Sequence, residues 1–132
     1  MAEDHLCVAL ITEVFFDDLT GERLTKALFD AKVLGAELAV LPEIPMNRWS
    51  PATRRVIDED AEEPEGWRQT LMAKAAKSIG IGLVGGAIIR DPDTGIRYNT
   101  ALLFDGNGIC QARYRKIHLP EEEGYWETSH YT

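Results

Sequence analysis

The sequence has little of what marks secreted, metal-binding or nucleic-acid-binding proteins. Only two of its 132 residues are cysteines, Cys7 and Cys110, and they lie too far apart for a CxxC motif or a metal-ligand pattern. Basic residues are also scarce, since 14 Lys and Arg face 22 Asp and Glu and leave a net charge of −8. The short basic run at 113–116 is too small for phosphate binding, so nucleic acid is not expected as a partner.

Long hydrophobic runs are missing as well. The longest apolar stretch, 79–89, is only about half of a membrane span and contains four glycines, so no membrane partner is expected. The chain starts with Met-Ala-Glu-Asp-His, which is acidic where a secretory signal is basic. We therefore expect a cytoplasmic protein with reduced thiols. No metal or organic cofactor is expected either, because no ligand spacing is visible.

What is present is an ordinary globular composition, with a strand–helix–strand unit at the start of the chain. Residues 5–13 are apolar and β-branched and predict a strand, and residues 38–41 predict a second, buried strand ended by a proline. Between them, 20–35 predicts a helix with an apolar face made of Leu24, Leu28, Ala31 and Leu34. The two strands should be parallel, with a right-handed crossover.

The rest of the chain predicts a loop, a second helix and a β-meander. Prolines and acidic residues at 44–64 favour a long surface excursion. The remaining elements are a helix at 65–79, with Trp67, Leu71, Ala75 and Ile79 on its buried face, and strands at 81–90, 98–105 and 109–114. Cys7 and Cys110 fall in predicted strands and are expected to be small core residues.

Together these elements predict an α/β protein with a mixed β-sheet. Two helices can cover only one face of such a sheet, so something else should cover the other face. Either a partner supplies this cover, or residues 1–132 are a single incomplete domain of a longer polypeptide.

Two charged residues lie where predicted strands end. Glu43 follows a buried strand in Leu41-Pro42-Glu43, where partial desolvation suits a general base, although a loop carboxylate that caps a turn is equally consistent. Lys116 follows the last strand and could stabilise negative charge on a substrate oxygen, or simply be a solvated edge-strand lysine. A nearby histidine, His118, is either a base or a turn residue.

The order of elements and three local segments resemble the nitrilase, or carbon–nitrogen hydrolase, superfamily. The segments are Leu41-Pro42-Glu43, then Tyr98-Asn99-Thr100-Ala101, then the run from Tyr114 to Pro120 that leads into Gly124-Tyr125-Trp126-Glu127. The resemblance covers essentially the whole chain. It implies the N-terminal half of a four-layer αββα sandwich, with helices on one face of the sheet.

The resemblance also implies a reaction. Family members hydrolyse a non-peptide carbon–nitrogen bond, such as that of an amide or N-carbamoyl amide, through a Cys-Glu-Lys site and a covalent thioester intermediate. The general base then corresponds to Glu43 and the oxyanion lysine to Lys116. The second glutamate corresponds best to Glu127, with Glu123 as the alternative, because the turn between them varies in length.

The family nucleophile has no counterpart here. It lies on a later strand, well beyond the lysine, and neither Cys7 nor Cys110 occupies the matching position. The resemblance therefore places the nucleophile outside this chain, and residues 1–132 alone are expected to be inactive.

Several alternatives stay open at this point. The complete polypeptide is expected to act on a small-molecule amide, carbamoyl compound or nitrile, and to form a homo-oligomer, as family members do. It could instead be a true nitrilase, or a short non-catalytic binding or assembly module. Trp49, Tyr125 and Trp126 are candidate substrate-binding residues, but packing explains each of them equally well.

Overall fold

The computed structural model describes residues 4–132 and has two helices and eight strands within that range. The helices are α1 (Glu22–Val33) and α2 (Trp67–Ile79). The strands are β1 (Val8–Leu10), β2 (Leu38–Val40), β3 (Ala61–Glu62), β4 (Gly82–Arg90), β5 (Arg97–Phe104), β6 (Cys110–Arg115), β7 (Glu121–Glu122) and β8 (Tyr125–Trp126). Short 3₁₀ helices lie at Ser50–Ala52, Asp58–Asp60 and Glu127–Ser129. Neither α-helix is long and apolar enough to cross a membrane.

Six of the strands form one mixed sheet, in the order β1-β2-β4-β5-β6 with β3 beside β4. β1, β2 and β4 are parallel, and β5 and β6 continue antiparallel. β3 pairs with the far end of β4 in parallel, with Ala61 opposite Ile88. The α/β class, the mixed sheet and the parallel strand–helix–strand unit are thus confirmed.

Two aspartate-centred turns set the register of the antiparallel strands. Asp91 accepts hydrogen bonds from the N–H groups of Asp93 and Thr94 between β4 and β5. Asp105 accepts them from Asn107 and Ile109 between β5 and β6. These backbone donors favour the ionised carboxylates and lower the pKa of both aspartates. The fixed register places Asn99 opposite Ile88.

Both helices pack against the same face of the sheet. The main core joins buried residues of α1 and α2 to the inward side chains of β4 and β5, and these residues are Leu24, Leu28, Ala31, Met72, Ala75, Ala76, Leu83, Ala87, Leu102 and Phe104. A Cβ at Gly85 would lie 2.5 Å from Met72 Sδ, so this glycine allows α2 to lie close to β4. The prediction of helices on one face is confirmed.

The opposite face of the sheet has no α-helix over it in the described part of the chain, although Tyr131 and Ile44 cover it at Ile88. Alternation along the strands places Val8, Leu10, Val84, Ala101 and Tyr114 on this face. Leu10 is 77% exposed and Tyr114 58% exposed. We call these residues the open sheet face.

Some details of the predicted elements are wrong. β1 has three residues rather than the span 5–13, and Cys7 precedes it and is exposed, so Cys7 is not a core residue. Cys110 does begin β6, but it is only partly buried against the core. Leu34 lies just beyond the end of α1 and is 86% exposed.

The buried face of α2 is rotated from the predicted one. Trp67 is 42% exposed, whereas the buried residues are Arg68, Gln69, Met72, Ala75 and Ala76. The reason lies in the preceding segment, 44–64, which is not simply a surface loop. Its residue Glu62 is buried and binds both Arg68 and Gln69, which turns these polar side chains inward.

Candidate active site

Glu43 is presented by a strained turn directly after β2. The next residue, Ile44, has a positive φ of 37°, which is unusual for a β-branched side chain. Its side chain is buried against Ile88 and Tyr131, and its carbonyl accepts a 3.0 Å hydrogen bond from the Asn47 N–H. Packing thus maintains a backbone conformation that would otherwise relax, and this fixes the start of the Glu43 side chain.

Lys116 is positioned by the end of β6. Its backbone N–H donates a 2.8 Å hydrogen bond to the Asn99 carbonyl of β5. At the other end of the side chain, Nζ lies 2.8 Å from Glu43 Oε1. The lysine side chain remains 30% exposed, so it lies at the wall of an open site rather than in the core.

Glu127 opens the last 3₁₀ helix and is almost completely buried, at 1% exposure. Its N–H donates to the Pro120 carbonyl at 3.0 Å. Both carboxylate oxygens lie 2.9 Å from Lys116 Nζ. A buried carboxylate needs such a partner, because an unpaired charge away from water is costly.

One ammonium group therefore lies between two carboxylates. Burial of Lys116 disfavours its charged form, but hydrogen bonds and charges from Glu43 and Glu127 outweigh this, so the pKa of Lys116 is raised. The lysine consequently stays protonated at neutral pH. A cation beside a carboxylate can hold a developing oxyanion while the carboxylate exchanges protons.

The other charged candidates do not join this cluster. Glu123 is exposed in the turn between β7 and β8, whereas Glu127 is the glutamate that contacts Lys116. His118 is also exposed. No group of three or more His, Cys, Asp and Glu within residues 4–132 has the arrangement of a metal site.

The three aromatic candidates separate into different environments. Trp49 lines a cavity of about 280 Å³ together with Glu43 and Ile44. Tyr125 packs edge-on against Trp49 with ring centroids 5.8 Å apart, and Trp126 lies under the Arg54 guanidinium at 4.0 Å. Tyr125 and Trp126 line neither this cavity nor the second cavity beside Glu43, which is described next.

A second cavity, of about 250 Å³, joins the charged cluster to the open sheet face. Glu43, Asn99 and Lys116 line it on one side, and Gly86, Ala101 and Tyr114 belong to its apolar floor. A Cβ at Gly86 would lie 3.0 Å from the Thr100 carbonyl oxygen, so the absence of a side chain at this glycine leaves space at the floor of the cavity. The cavity thus combines two charged side chains and an amide with an apolar surface.

Sequence reasoning missed the role of Asn99. Its side-chain Nδ2 donates a 2.6 Å hydrogen bond to Glu43 Oε1, and the residue is only 5% exposed. The signal was present, since Asn99 lies in one of the segments that carry the family resemblance. The pairing itself connects residues 56 positions apart, which no local pattern reports.

Comparison with known families extends this picture to most of the chain. The family model "Carbon-nitrogen hydrolase" matches residues 7–132. The chain belongs to the carbon–nitrogen hydrolase family. The resemblance stated from the sequence motifs is therefore confirmed.

Two curated carbon–nitrogen hydrolase relatives illustrate the match. Omega-amidase NIT2-B of Xenopus laevis is 36% identical over 110 residues, which are 83% of this chain and 38% of that protein. A nitrilase of Pyrococcus abyssi is 30% identical over 120 residues, which are 90% of this chain and 45% of that protein. The chain thus spans less than half the length of either relative.

Solved structures show the same fold. An amidase from Nesterenkonia sp. superposes with a TM-score of 0.75 at 22% identity, over 100% of this chain and 49% of that one. A glutamate-to-glutamine variant of the amidase from Nesterenkonia sp. AN1 was solved after Michael addition of acrylamide at its active-site cysteine, and superposes with a TM-score of 0.73 at 22% identity over 97% of this chain and 49% of that one.

Proposed function

We propose that the complete polypeptide hydrolyses the carbon–nitrogen bond of a small amide or N-carbamoyl amide. The observation that carries this proposal is the position of Lys116 Nζ, 2.8 Å from Glu43 and 2.9 Å from Glu127. Glu43 is assigned as the general base, Lys116 as the oxyanion-stabilising cation and Glu127 as the group that holds the lysine. The 36% sequence identity between this chain and an omega-amidase supports an amide substrate.

The proposed reaction begins at a cysteine thiol. Glu43 takes the thiol proton, and the thiolate attacks the carbonyl carbon to form a C–S bond while the carbonyl oxygen becomes an oxyanion beside Lys116. The oxyanion then collapses, the C–N bond breaks, and protonated Glu43 returns its proton to the leaving nitrogen. A water molecule next gives a proton to Glu43, and its oxygen bonds to the thioester carbon. The C–S bond then breaks, Glu43 returns the proton to the departing thiolate, and the carboxylic acid is released.

We assign the nucleophile to a part of the polypeptide outside residues 1–132. Cys110 packs against the core on the helix-covered side of the sheet, whereas the cavity beside Glu43 opens onto the other side. Cys7 is exposed, and its backbone N–H donates to Glu37 rather than to any residue of the charged cluster. The named active-site cysteine of the Nesterenkonia amidase supports cysteine chemistry in this family.

The same proposal covers the organisation of the protein. Residues 1–132 form one portion of a single sandwich domain, and a second sheet packs on the open sheet face. Trp49 contributes to the substrate pocket, since it shares a cavity with Glu43, while Tyr125 supports it from behind. A cytoplasmic location, expected from the sequence composition, and a homo-oligomeric state, implied by the family resemblance, remain predictions.

A nitrile substrate is the second candidate, and the 30% sequence identity between this chain and a nitrilase favours it. The distinction is measurable, because an amidase releases ammonia from amides and leaves nitriles intact. Incubation of the protein encoded by the complete gene with matched amide, N-carbamoyl and nitrile compounds separates the two. A binding or assembly module would release ammonia from none of them.

The first variant to test is Glu43→Gln. The amide side chain cannot accept the thiol proton, so we expect amide hydrolysis to fall by roughly 100-fold or more, with the circular dichroism spectrum unchanged. Glu122→Gln is the matched control, because Glu122 is an exposed glutamate of β7, and this variant should keep full activity. Wild-type turnover by Glu43→Gln would disprove the assignment of the base.

A further inference from the structure

Asn99 contacts both halves of the charged cluster. Its backbone carbonyl accepts the Lys116 N–H at 2.8 Å, and its side-chain Nδ2 donates to Glu43 Oε1 at 2.6 Å. The residue is 5% exposed in the interior of β5, where two neighbouring strands hold its backbone. A single rigid residue thus fixes where the lysine starts and where the glutamate ends.

The two oxygens of Glu43 are consequently not equivalent. Oε1 accepts both the Asn99 amide and the Lys116 ammonium, at 2.6 and 2.8 Å. Among residues 4–132, no hydrogen-bond donor is recorded at Oε2. Because the torsional profile of a carboxylate is broad, a fixed donor is needed to hold the carboxylate plane so that one oxygen points away from the lysine.

We propose that Asn99 is a positioning residue that reserves Glu43 Oε2 as the proton-accepting atom. This inference rests on the proposed hydrolysis, in which that oxygen takes the thiol proton and later returns it to the leaving nitrogen. The lysine alone does not fix this orientation, because its ammonium is shared with Glu127. The amide of Asn99, held by a buried strand, donates from one fixed direction.

Loss of this donor has a specific electrostatic consequence. A hydrogen bond to the ionised carboxylate favours the form that can accept a proton. Without this hydrogen bond, the acid limit of the pH range in which the base can act should move to higher pH. A role of Asn99 confined to stabilising the sheet would lower stability without moving the pH dependence.

Gln69 offers a matched control. It is also an amide side chain of 5% exposure, and its Nε2 donates a 2.9 Å hydrogen bond, but to the Glu63 carbonyl. Gln69 lines neither cavity beside Glu43, so Gln69→Ala removes a buried amide without removing a donor to Glu43.

The experiment compares Asn99→Ala, Asn99→Leu and Gln69→Ala in the protein encoded by the complete gene. Asn99→Leu keeps a similar volume without a donor or a charge, and serves if the alanine variant does not fold. For either Asn99 variant we expect kcat to fall about tenfold or more with little change in KM, and the acid limb of kcat/KM to move up by about one pH unit. Gln69→Ala should keep the wild-type acid limb. An unmoved acid limb in a folded Asn99 variant would overturn the proposal.

A second readout does not depend on turnover. The carbon-13 resonance of the Glu43 carboxyl follows its protonation directly, and its titration midpoint should be higher in Asn99→Ala than in the unsubstituted protein. If that midpoint moves but no amide is hydrolysed, the contact stands and the proposed function fails. If amides are hydrolysed and the midpoint stays, the positioning role fails and the function stands.

Discussion

Lys116 shares its one positive charge between two carboxylates that differ in exposure. Glu127 is 1% exposed, whereas the Glu43 side chain is 42% exposed. The buried partner loses most from separation, because its charge has no access to water. Glu127 is therefore the carboxylate that depends most on the lysine, while Glu43 faces the open cavity beside the same cation.

This difference leads to a prediction that separates the two glutamates considered for the second carboxylate. In Glu127→Gln the lysine loses its buried partner and shifts, so amide hydrolysis should fall by roughly 100-fold, as misplacement of a reacting group does. Glu123→Gln changes an exposed turn residue and should retain activity. Steady-state assays of both variants decide the matter, and a larger loss in Glu123→Gln would reverse the assignment.

The start of α2 depends on an acceptor from outside the helix. The first N–H groups of a helix have no partner within it. Glu62 of β3 accepts from the Arg68 N–H at 3.2 Å and from the Gln69 side chain at 3.3 Å, and burial raises the pKa of its carboxyl. Gly66 leaves the space that this carboxylate fills, since a Cβ there would lie 2.6 Å from Glu62 Cβ and overlap with the carboxylate.

Gly66→Ala should accordingly destabilise the protein, by about 1–3 kcal/mol, because the added methyl group displaces Glu62 from the helix start. The measurement is the urea midpoint of unfolding. Glu62→Ala removes two of the three atoms that the new methyl group would meet nearest, so Gly66→Ala should cost less in that background. Equal costs in both backgrounds would contradict this explanation.

The same contacts show where sequence reasoning succeeds and where it stops. Helical spacing correctly predicts that Leu24, Leu28 and Ala31 face the core, because one periodic face determines their burial. The start of α2 has no such pattern, since a carboxylate six positions away turns Arg68 inward. The acidic composition of residues 44–64 predicted that this segment is exposed. Hydrogen bonds instead offset the free-energy cost of burying the Glu62 carboxylate.

What the sequence can predict about the charged cluster is limited by strand register, which local patterns do not report. Glu43 and Lys116 were candidates because each follows a recognisable strand, where side chains of neighbouring strands converge, and the family resemblance then assigned their roles. Asn99 lies within a strand, and its contact with Glu43 depends on which residues of β4 and β5 face each other. That alignment is fixed by two turns rather than by the residues at the site.

The whole chain combines a helix-covered side with the open sheet face. Its charged cluster lies at the border of the open side, and Cys110 packs on the covered side. The cluster combines two carboxylates and an ammonium, and neither Cys7 nor Cys110 lines the cavity beside it. Residues 1–132 by themselves should therefore have no hydrolase activity.

The chain of residues 1–132 alone should release no ammonia from amides and should form no covalent adduct with them. Intact-mass measurement after incubation with an amide substrate checks both cysteines at once. A stable adduct on Cys110 would contradict the assignment of the nucleophile to another part of the polypeptide.

The spacing of the charged cluster along the chain also determines when it can exist. Glu43 and Lys116 are 73 positions apart, and Asn99 and Glu43 are 56 apart. Contacts of such separation form slowly, because loop-closure entropy is lost before the contact is gained. On a ribosome, Glu43 emerges long before its cation is synthesised, and the two meet only when β2, β4, β5 and β6 have aligned. The charged cluster is therefore a late product of folding.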